Sequence, residues 1–113
     1  MRRDAQHRMR EDTMYTIIQN YAGATTFADD LKRKANAIET ELGSVPGFIA
    51  YYMIKTDKGA TSVTVCDNRK GCDECSKRLN NWLKKELPGL RFSPPQFIEG
   101  ELAFRFAHYK TTV

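Results

Sequence analysis

Three cysteines are the residues whose type and spacing most directly suggest chemistry. Cys72 and Cys75 form a C-x-x-C pair, and Cys66 precedes them by a few residues. If this pair begins a helix, the helix dipole favours thiolates, which would suit a redox pair or a three-thiolate metal site. A structural zinc site needs four ligands, however, and no histidine is near in sequence. Asp73 and Glu74 also disfavour thiolates, so packing as small apolar side chains is the favoured interpretation.

A second group of candidates consists of single polar or aromatic residues. Apart from His7, His108 is the chain's only histidine, and an imidazole with a pKa of about 6.5 can act as a general base. The alternative is a solvated surface histidine near a strand end. Asn20 lies just before a turn, where an asparagine often only caps backbone groups. Trp82 lies at the spacing of a helix's apolar stripe, which favours core packing.

The first half of the chain predicts a strand, a helix and a second strand. MYTIIQN (Met14 to Asn20) is rich in β-branched and aromatic residues. The next apolar residues recur at helical spacing and are Phe27, Leu31, Ala35, Ile38 and Leu42. They predict one amphipathic helix that ends at Gly43. FIAYYMIK (Phe48 to Lys55) predicts the second strand.

The second half predicts a hairpin strand, a helix and a last strand. Asp57-Lys58-Gly59 is a hairpin connection, so the strand from Ala60 to Asp67 returns antiparallel to the one before it. The second helix is predicted from Lys70 to Leu87, with an apolar stripe of Cys72, Cys75, Leu79, Trp82, Leu83 and Leu87. The last strand is predicted from Gln96 to His108. The order strand-helix-strand-strand-helix-strand indicates a ferredoxin-like α+β fold, a four-stranded antiparallel sheet with two helices on one face.

The second strand predicts that both faces of this sheet are covered. Its alternation places Phe48, Tyr52 and Ile54 on one face and Ile49, Tyr51 and Met53 on the other. Helices cover one face only, and an open apolar face would exceed the patch that monomers tolerate. A second copy of the same sheet is the simplest cover, so a homodimer is expected. The alternative is that Tyr51 and Met53, on the face away from the helices, are covered by the segment of residues 1–13. We interpret this segment as a flexible tail because it has no aromatic or branched apolar residue.

The chain resembles the dimeric α+β barrel superfamily, and within it the antibiotic biosynthesis monooxygenase-like group. Three features carry this resemblance: the element order, the PGF turn at Pro46-Gly47-Phe48, and the SVTVCDN stretch that leads into a helix. It covers residues 14–109, which we take as the domain. It implies a homodimer with facing sheets, and a pocket between sheet and helices in each protomer.

The resemblance also implies a chemistry, oxygenation of a small aromatic or quinone-like molecule without a cofactor. Such a pocket is apolar and has a few polar groups that orient and deprotonate the substrate. His108 and Asn20 are then the catalytic candidates, and Tyr51, Tyr52 and Trp82 the candidates for the ligand pocket. Tyr51 and Tyr52 point to opposite faces of their strand, so at most one of them lines a given pocket. A non-enzymatic ligand-binding or structural dimer is the alternative. The haem-degrading branch is disfavoured because it takes its iron ligand from a histidine on the second helix, which has none here.

Composition excludes several other classes of function. The net charge is +4 over 113 residues, and both signs are interspersed, which is typical of a solvated surface rather than a nucleic-acid-binding stripe. An RNA-binding module of this topology needs aromatic residues on its central strands, and the predicted third strand has none. No run is long enough to span a membrane, and three cysteines suit a reducing compartment, so a cytoplasmic protein is expected.

Overall fold

The computed structural model describes residues 14–23, 25–89 and 96–108, in seven helices and strands. They are β1 (Met14–Ala22), α1 (Phe27–Arg33), α2 (Ala35–Gly43), β2 (Phe48–Thr56), β3 (Gly59–Cys66), α3 (Arg69–Glu86) and β4 (Gln96–Leu102). The tail predicted for residues 1–13 and the last residue of the predicted domain, Tyr109, lie outside the described residues.

The sheet has four strands in the order β2-β3-β1-β4, and all neighbouring strands are antiparallel. The helices pack on one face of the sheet and enclose the apolar core with it. The core includes Ile17, Tyr21, Phe27, Leu31, Ile38, Leu42, Leu79 and Trp82. The ferredoxin-like fold predicted from the order of elements is therefore confirmed.

The first predicted helix is two helices, which corrects the expectation of two helices in total. Lys34 leaves helical geometry with φ −113° and ψ 22°, and its N–H donates to the carbonyl of Leu31 at 3.0 Å. The other members of the predicted stripe are buried, but Ala35, directly after the break, is exposed. Helical spacing identified the buried side chains correctly, but it carries no information on a backbone turn between them.

A β-bulge in β2 corrects the predicted grouping of its side chains. The register with β3 shifts between Phe48 and Ala50, so the residues before and after the bulge exchange faces. Phe48 consequently packs against the core together with Tyr51 and Met53. Tyr52 and Ile54 lie on the face opposite the helices, which we call the open face. The expectation that Tyr51 and Met53 lie on that face is therefore wrong.

The last strand is shorter than predicted. It ends at Leu102, which pairs with Met14 at the start of β1, so the described part of β1 offers no partner to residues 103–108. Phe104 and Phe106 in that segment are exposed, and their ring centroids lie 5.6 Å apart. Among the described residues, no helix has the length and apolar character needed to cross a membrane.

Candidate ligand cleft

A cleft of about 760 Å³ lies between helices α1 and α2 and the edge strand β2. Its lining is mainly apolar and is drawn from all three elements: Ala28, Leu31, Ala35, Ile38, Leu42, Phe48, Ala50, Tyr51 and Met53. The helix break contributes to this space, because Ala35 places only a methyl group at the junction. Ligand pockets usually enclose about 300–1,000 Å³, so a small molecule fits here.

Tyr51 lines this cleft, and its hydroxyl is buried. The hydroxyl has no hydrogen-bond partner among the described residues. Burial raises the pKa of Tyr51 well above its usual value, and the nearby Tyr21 raises it further, while the Ser62 hydroxyl acts in the opposite direction. Tyr51 therefore keeps its proton at physiological pH and can act as a hydrogen-bond donor.

More polar groups lie beside Tyr51, under the helices. The Tyr21 hydroxyl donates to Gln19 Oε1 at 2.9 Å, and Gln19 is paired with Ser62 across β1 and β3. Ser62 is 0% exposed, and its hydroxyl also lacks a hydrogen bond of ordinary geometry within the described chain. Burial raises the pKa of Tyr21, and Ser62 opposes this rise as it does for Tyr51, which places Ser62 beside both phenols. Packing alone would favour apolar side chains at these positions.

The mouth of the cleft carries charges of both signs. Lys55 Nζ, near the end of β2, lies 3.0 Å from Asp29 Oδ2 on α1. Both side chains are largely exposed, so the pair stabilises the fold by at most about 1 kcal/mol. Lys32 and Glu39 also line the cleft. The charges at the mouth are thus balanced, and the mouth does not select for an anion or a cation.

The two candidate catalytic residues lie outside this cleft. Asn20 is exposed on the open face, where its Oδ1 accepts a hydrogen bond from Thr61 Oγ1 at 3.0 Å. His108 is exposed and lies beyond the end of β4. The structure does not bring the two together with the cleft of their own chain, and their catalytic role stays a prediction.

Of the three predicted pocket residues, the structure places Tyr51 in the cleft. Tyr52 points to the opposite face, as predicted for adjacent strand residues, and is 54% exposed. Trp82 packs in the core and borders a small depression of about 230 Å³ next to Glu41 and Arg78, apart from the cleft. That Tyr52 and Trp82 contact a ligand stays a prediction.

The three cysteines lie together in the core. Cys66 Sγ and Cys75 Sγ are 3.7 Å apart, and Cys72 Sγ donates to the carbonyl of Tyr15 at 3.2 Å. Burial, followed by the neighbouring Cys66, raises the pKa of both Cys72 and Cys75. Neutral buried thiols are poor nucleophiles and poor metal ligands. No cluster of His, Cys, Asp or Glu within the described ranges has the arrangement of a metal site.

We expect all three native thiols to be unreactive toward a disulfide reagent at pH 8 and to react once the protein is unfolded. Because the pKa values of Cys72 and Cys75 are raised in the folded protein, their contribution to stability is full below the unfolded thiol pKa of about 8.5 and falls as the pH rises above it. Thiol titration and chemical unfolding between pH 7 and 10 measure both effects. Asn80→Cys, on the exposed side of α3, provides a thiol that should react at once. Fast reaction of a native cysteine in the parent protein would contradict the packing interpretation.

Comparison with known proteins gives matches in structure only. No protein-family model matches the chain, and no curated protein sequence matches it. The ActVA-Orf6 monooxygenase of Streptomyces coelicolor, solved with the ligand nanaomycin D, has a TM-score of 0.61 at 11% identity, over 88% of this chain and 95% of that one. A dimeric ferredoxin-like protein from an uncultured marine organism has a TM-score of 0.57 at 12% identity, over 88% and 96%. This chain has the ferredoxin-like α+β fold of these proteins. The resemblance noted in the sequence is thereby confirmed for the fold.

One neighbour with this fold is a haem protein, so we tested whether the cleft suits haem. The heme-degrader MhuD of Mycobacterium tuberculosis, solved with two hemes in its active site, has a TM-score of 0.61 at 10% identity, over 82% of this chain and 99% of that one. Among the described residues, no histidine or cysteine lines this cleft. Its phenol, Tyr51, has a raised pKa, which disfavours the phenolate that iron would need. The described lining therefore does not fit haem.

Sequence reasoning missed the polar residues under the helices. Ser62 lies at the same parity of β3 as Ala60, Thr64 and Cys66, all of them buried against the helices. The available signal for buried polar groups was a polar side chain on a strand face that the helices must cover. Gln19 gave the same signal on β1, between the buried Ile17 and Tyr21.

Proposed function

We propose that this protein binds a small aromatic or quinone-like molecule in the cleft between α1, α2 and β2. The observation that carries this proposal is the cleft itself, with an apolar wall and a hydroxyl donor from Tyr51. Flat aromatic ligands suit such a site, because apolar contact supplies affinity and a few polar groups fix orientation. Solved structures of the same fold hold nanaomycin D or heme, which supports a ligand-binding role for this architecture.

We further propose that any oxygenation in this protein is cofactor-free. A hydroxylated polycyclic ring that loses its phenolic proton is electron-rich and can react with O₂ directly, giving a quinone and one molecule of water. The base and the orienting amide are assigned to His108 and Asn20. Neither residue lines the cleft of its own chain, so this assignment requires another subunit to bring both of them to the ligand.

The homodimer is proposed from the open face. Ile18, Tyr52, Val63 and Ile98 lie directly opposite one another on the four strands and form one apolar row across it. Ile98 is 72% exposed and Tyr52 54% exposed in the single chain. A second copy of the sheet would cover this row and also Ile54. The free buried thiols suit a reducing cytoplasm as the place of action.

The oxygenase proposal predicts O₂ uptake with hydroxylated polycyclic phenols. His108→Ala and Asn20→Ala should each lower kcat by about 100-fold if they supply the base and the orienting group. An oxygen electrode measures the rate, and Thr40→Ala on the exposed side of α2 is the control. Absence of uptake in the parent protein, or full activity in both variants, would contradict the oxygenase assignment.

A non-enzymatic ligand-binding dimer is the second candidate. It is favoured by the distance of both candidate catalytic residues from the cleft, and it requires the same cleft. Native mass spectrometry of the purified protein tests the part that both candidates share. A dimer carrying a small extra mass supports the ligand proposal, and a ligand that binds without O₂ uptake would favour the second candidate.

A further inference from the structure

Two buried hydroxyls beside the cleft lie near each other and make no hydrogen bond of ordinary geometry to any described residue. They belong to Tyr51 on β2 and Ser62 on β3. The core residue Tyr21 already donates its proton to Gln19 Oε1 at 2.9 Å. The polar group under the helices therefore presents two donors, one of which lies in the wall of the cleft.

The electrostatic surroundings define what these donors can bind. Tyr51 keeps its proton because burial raises its pKa, so it offers a neutral O–H rather than a charge. The described cations of the cleft, Lys32 and Lys55, lie at the mouth, and Lys55 is paired with Asp29. An anion at the inner end would lose its hydration without meeting a positive charge, which is costly. A neutral acceptor meets no such penalty.

We propose that the Tyr51 and Ser62 hydroxyls form the polar end of the ligand site and bind a neutral carbonyl oxygen of a flat aromatic ligand. This inference rests on the proposed function, since it assumes that the cleft binds such a ligand. Tyr51 donates to the carbonyl oxygen from the cleft wall, and Ser62 donates to the same oxygen or to the Tyr51 oxygen. The pair makes the site selective for an aromatic ketone or quinone over the corresponding hydrocarbon.

The test compares two probes that differ in one group. 9-Fluorenone and fluorene share their flat tricyclic skeleton, and fluorenone has a carbonyl where fluorene has a methylene. We expect the parent protein to bind fluorenone about tenfold more tightly than fluorene, because a bound acceptor satisfies buried donors. In Tyr51→Phe this preference should disappear, with fluorenone weakened about tenfold and fluorene unchanged. Ser62→Ala should reduce the preference by a smaller factor.

Tyr52→Phe is the matched control, because it removes the same hydroxyl from the neighbouring residue on the open face. It should leave the affinity for both probes unchanged. The infrared carbonyl band of bound fluorenone gives a second readout that a structural role for Tyr51 would not affect. The band should shift to lower frequency in the parent protein and in Tyr52→Phe, but not in Tyr51→Phe.

The possible outcomes distinguish the carbonyl site from the ligand cleft on which it depends. Equal affinity for both probes in the parent protein, or a fluorenone band that does not respond to Tyr51→Phe, would overturn the carbonyl site and leave the cleft as an apolar binding site. Failure of both probes to bind the parent protein would overturn the ligand cleft and the carbonyl site together.

Discussion

Replacing Val63 with lysine is expected to convert the protein from a dimer to a monomer. Val63 lies on β3, inside the sheet, where it pairs with Ile18 on one side and Tyr52 on the other. It is thus a central member of the apolar row that we propose as the dimer interface. A lysine ammonium buried there without a partner would cost several kcal/mol, and each 1.4 kcal/mol weakens association about tenfold.

The size of this effect follows from the position of Val63 rather than from its side chain alone. Interface residues near the centre of a contact are fully desolvated, whereas those at the rim stay hydrated and contribute little. We therefore expect the dissociation constant of the dimer to rise at least about 100-fold. Sedimentation velocity over a range of concentrations measures it, and circular dichroism verifies that the monomer remains folded.

Asn80→Lys adds the same charge on the exposed side of α3, away from the open face, and should leave the dimer intact. A Val63→Lys protein that stays dimeric would show that the interface lies elsewhere. A monomeric parent protein would show that another segment covers the open face.

The fold was predictable because its evidence is local. The hairpin residues Asp57-Lys58-Gly59 require antiparallel neighbours, and the spacing of the buried positions indicates the helices. The break at Lys34 and the bulge between Phe48 and Ala50 were not predictable, because each changes the backbone without changing the pattern of apolar residues. These two irregularities matter to the site, since they place Ala35 and Tyr51 around the cleft.

The candidate site was predicted only in part, for a related reason. Tyr51 was named as a pocket residue because a large aromatic side chain on a strand must pack against a ligand or another part of the protein. The structure places Tyr51 in the lining of the cleft. Nothing in the residue type of Ser62 or Gln19 indicates burial. They are buried polar groups only because the helices pack over this part of the sheet. His108 and Asn20 were selected by residue type, which says nothing about the distance between a side chain and a cleft formed elsewhere in the chain.

Filling the cleft by Ala35→Trp is expected to abolish binding of both fluorenone and fluorene. Ala35 lines the cleft and is exposed, so an indole at this position can enter the space without displacing a buried side chain. Overpacking a core usually costs about 1–3 kcal/mol, but this position is at the edge of the core, and we expect little change in the free energy of unfolding. The affinity for each probe should fall at least about tenfold, since the ligand and the indole compete for one volume.

Ala37→Trp is the matched control for this substitution. Ala37 is on the same helix and is exposed, but it does not line the cleft, so it should leave binding unchanged. Fluorescence titration with both probes and urea unfolding of each variant separate a blocked cleft from a weakened fold. Ala35→Trp should thus lose both probes, while Tyr51→Phe should lose only the preference for fluorenone. This result would show that the helix junction provides the space for the ligand and that the sheet provides the selectivity. Unchanged binding in Ala35→Trp would contradict a ligand site at the helix junction.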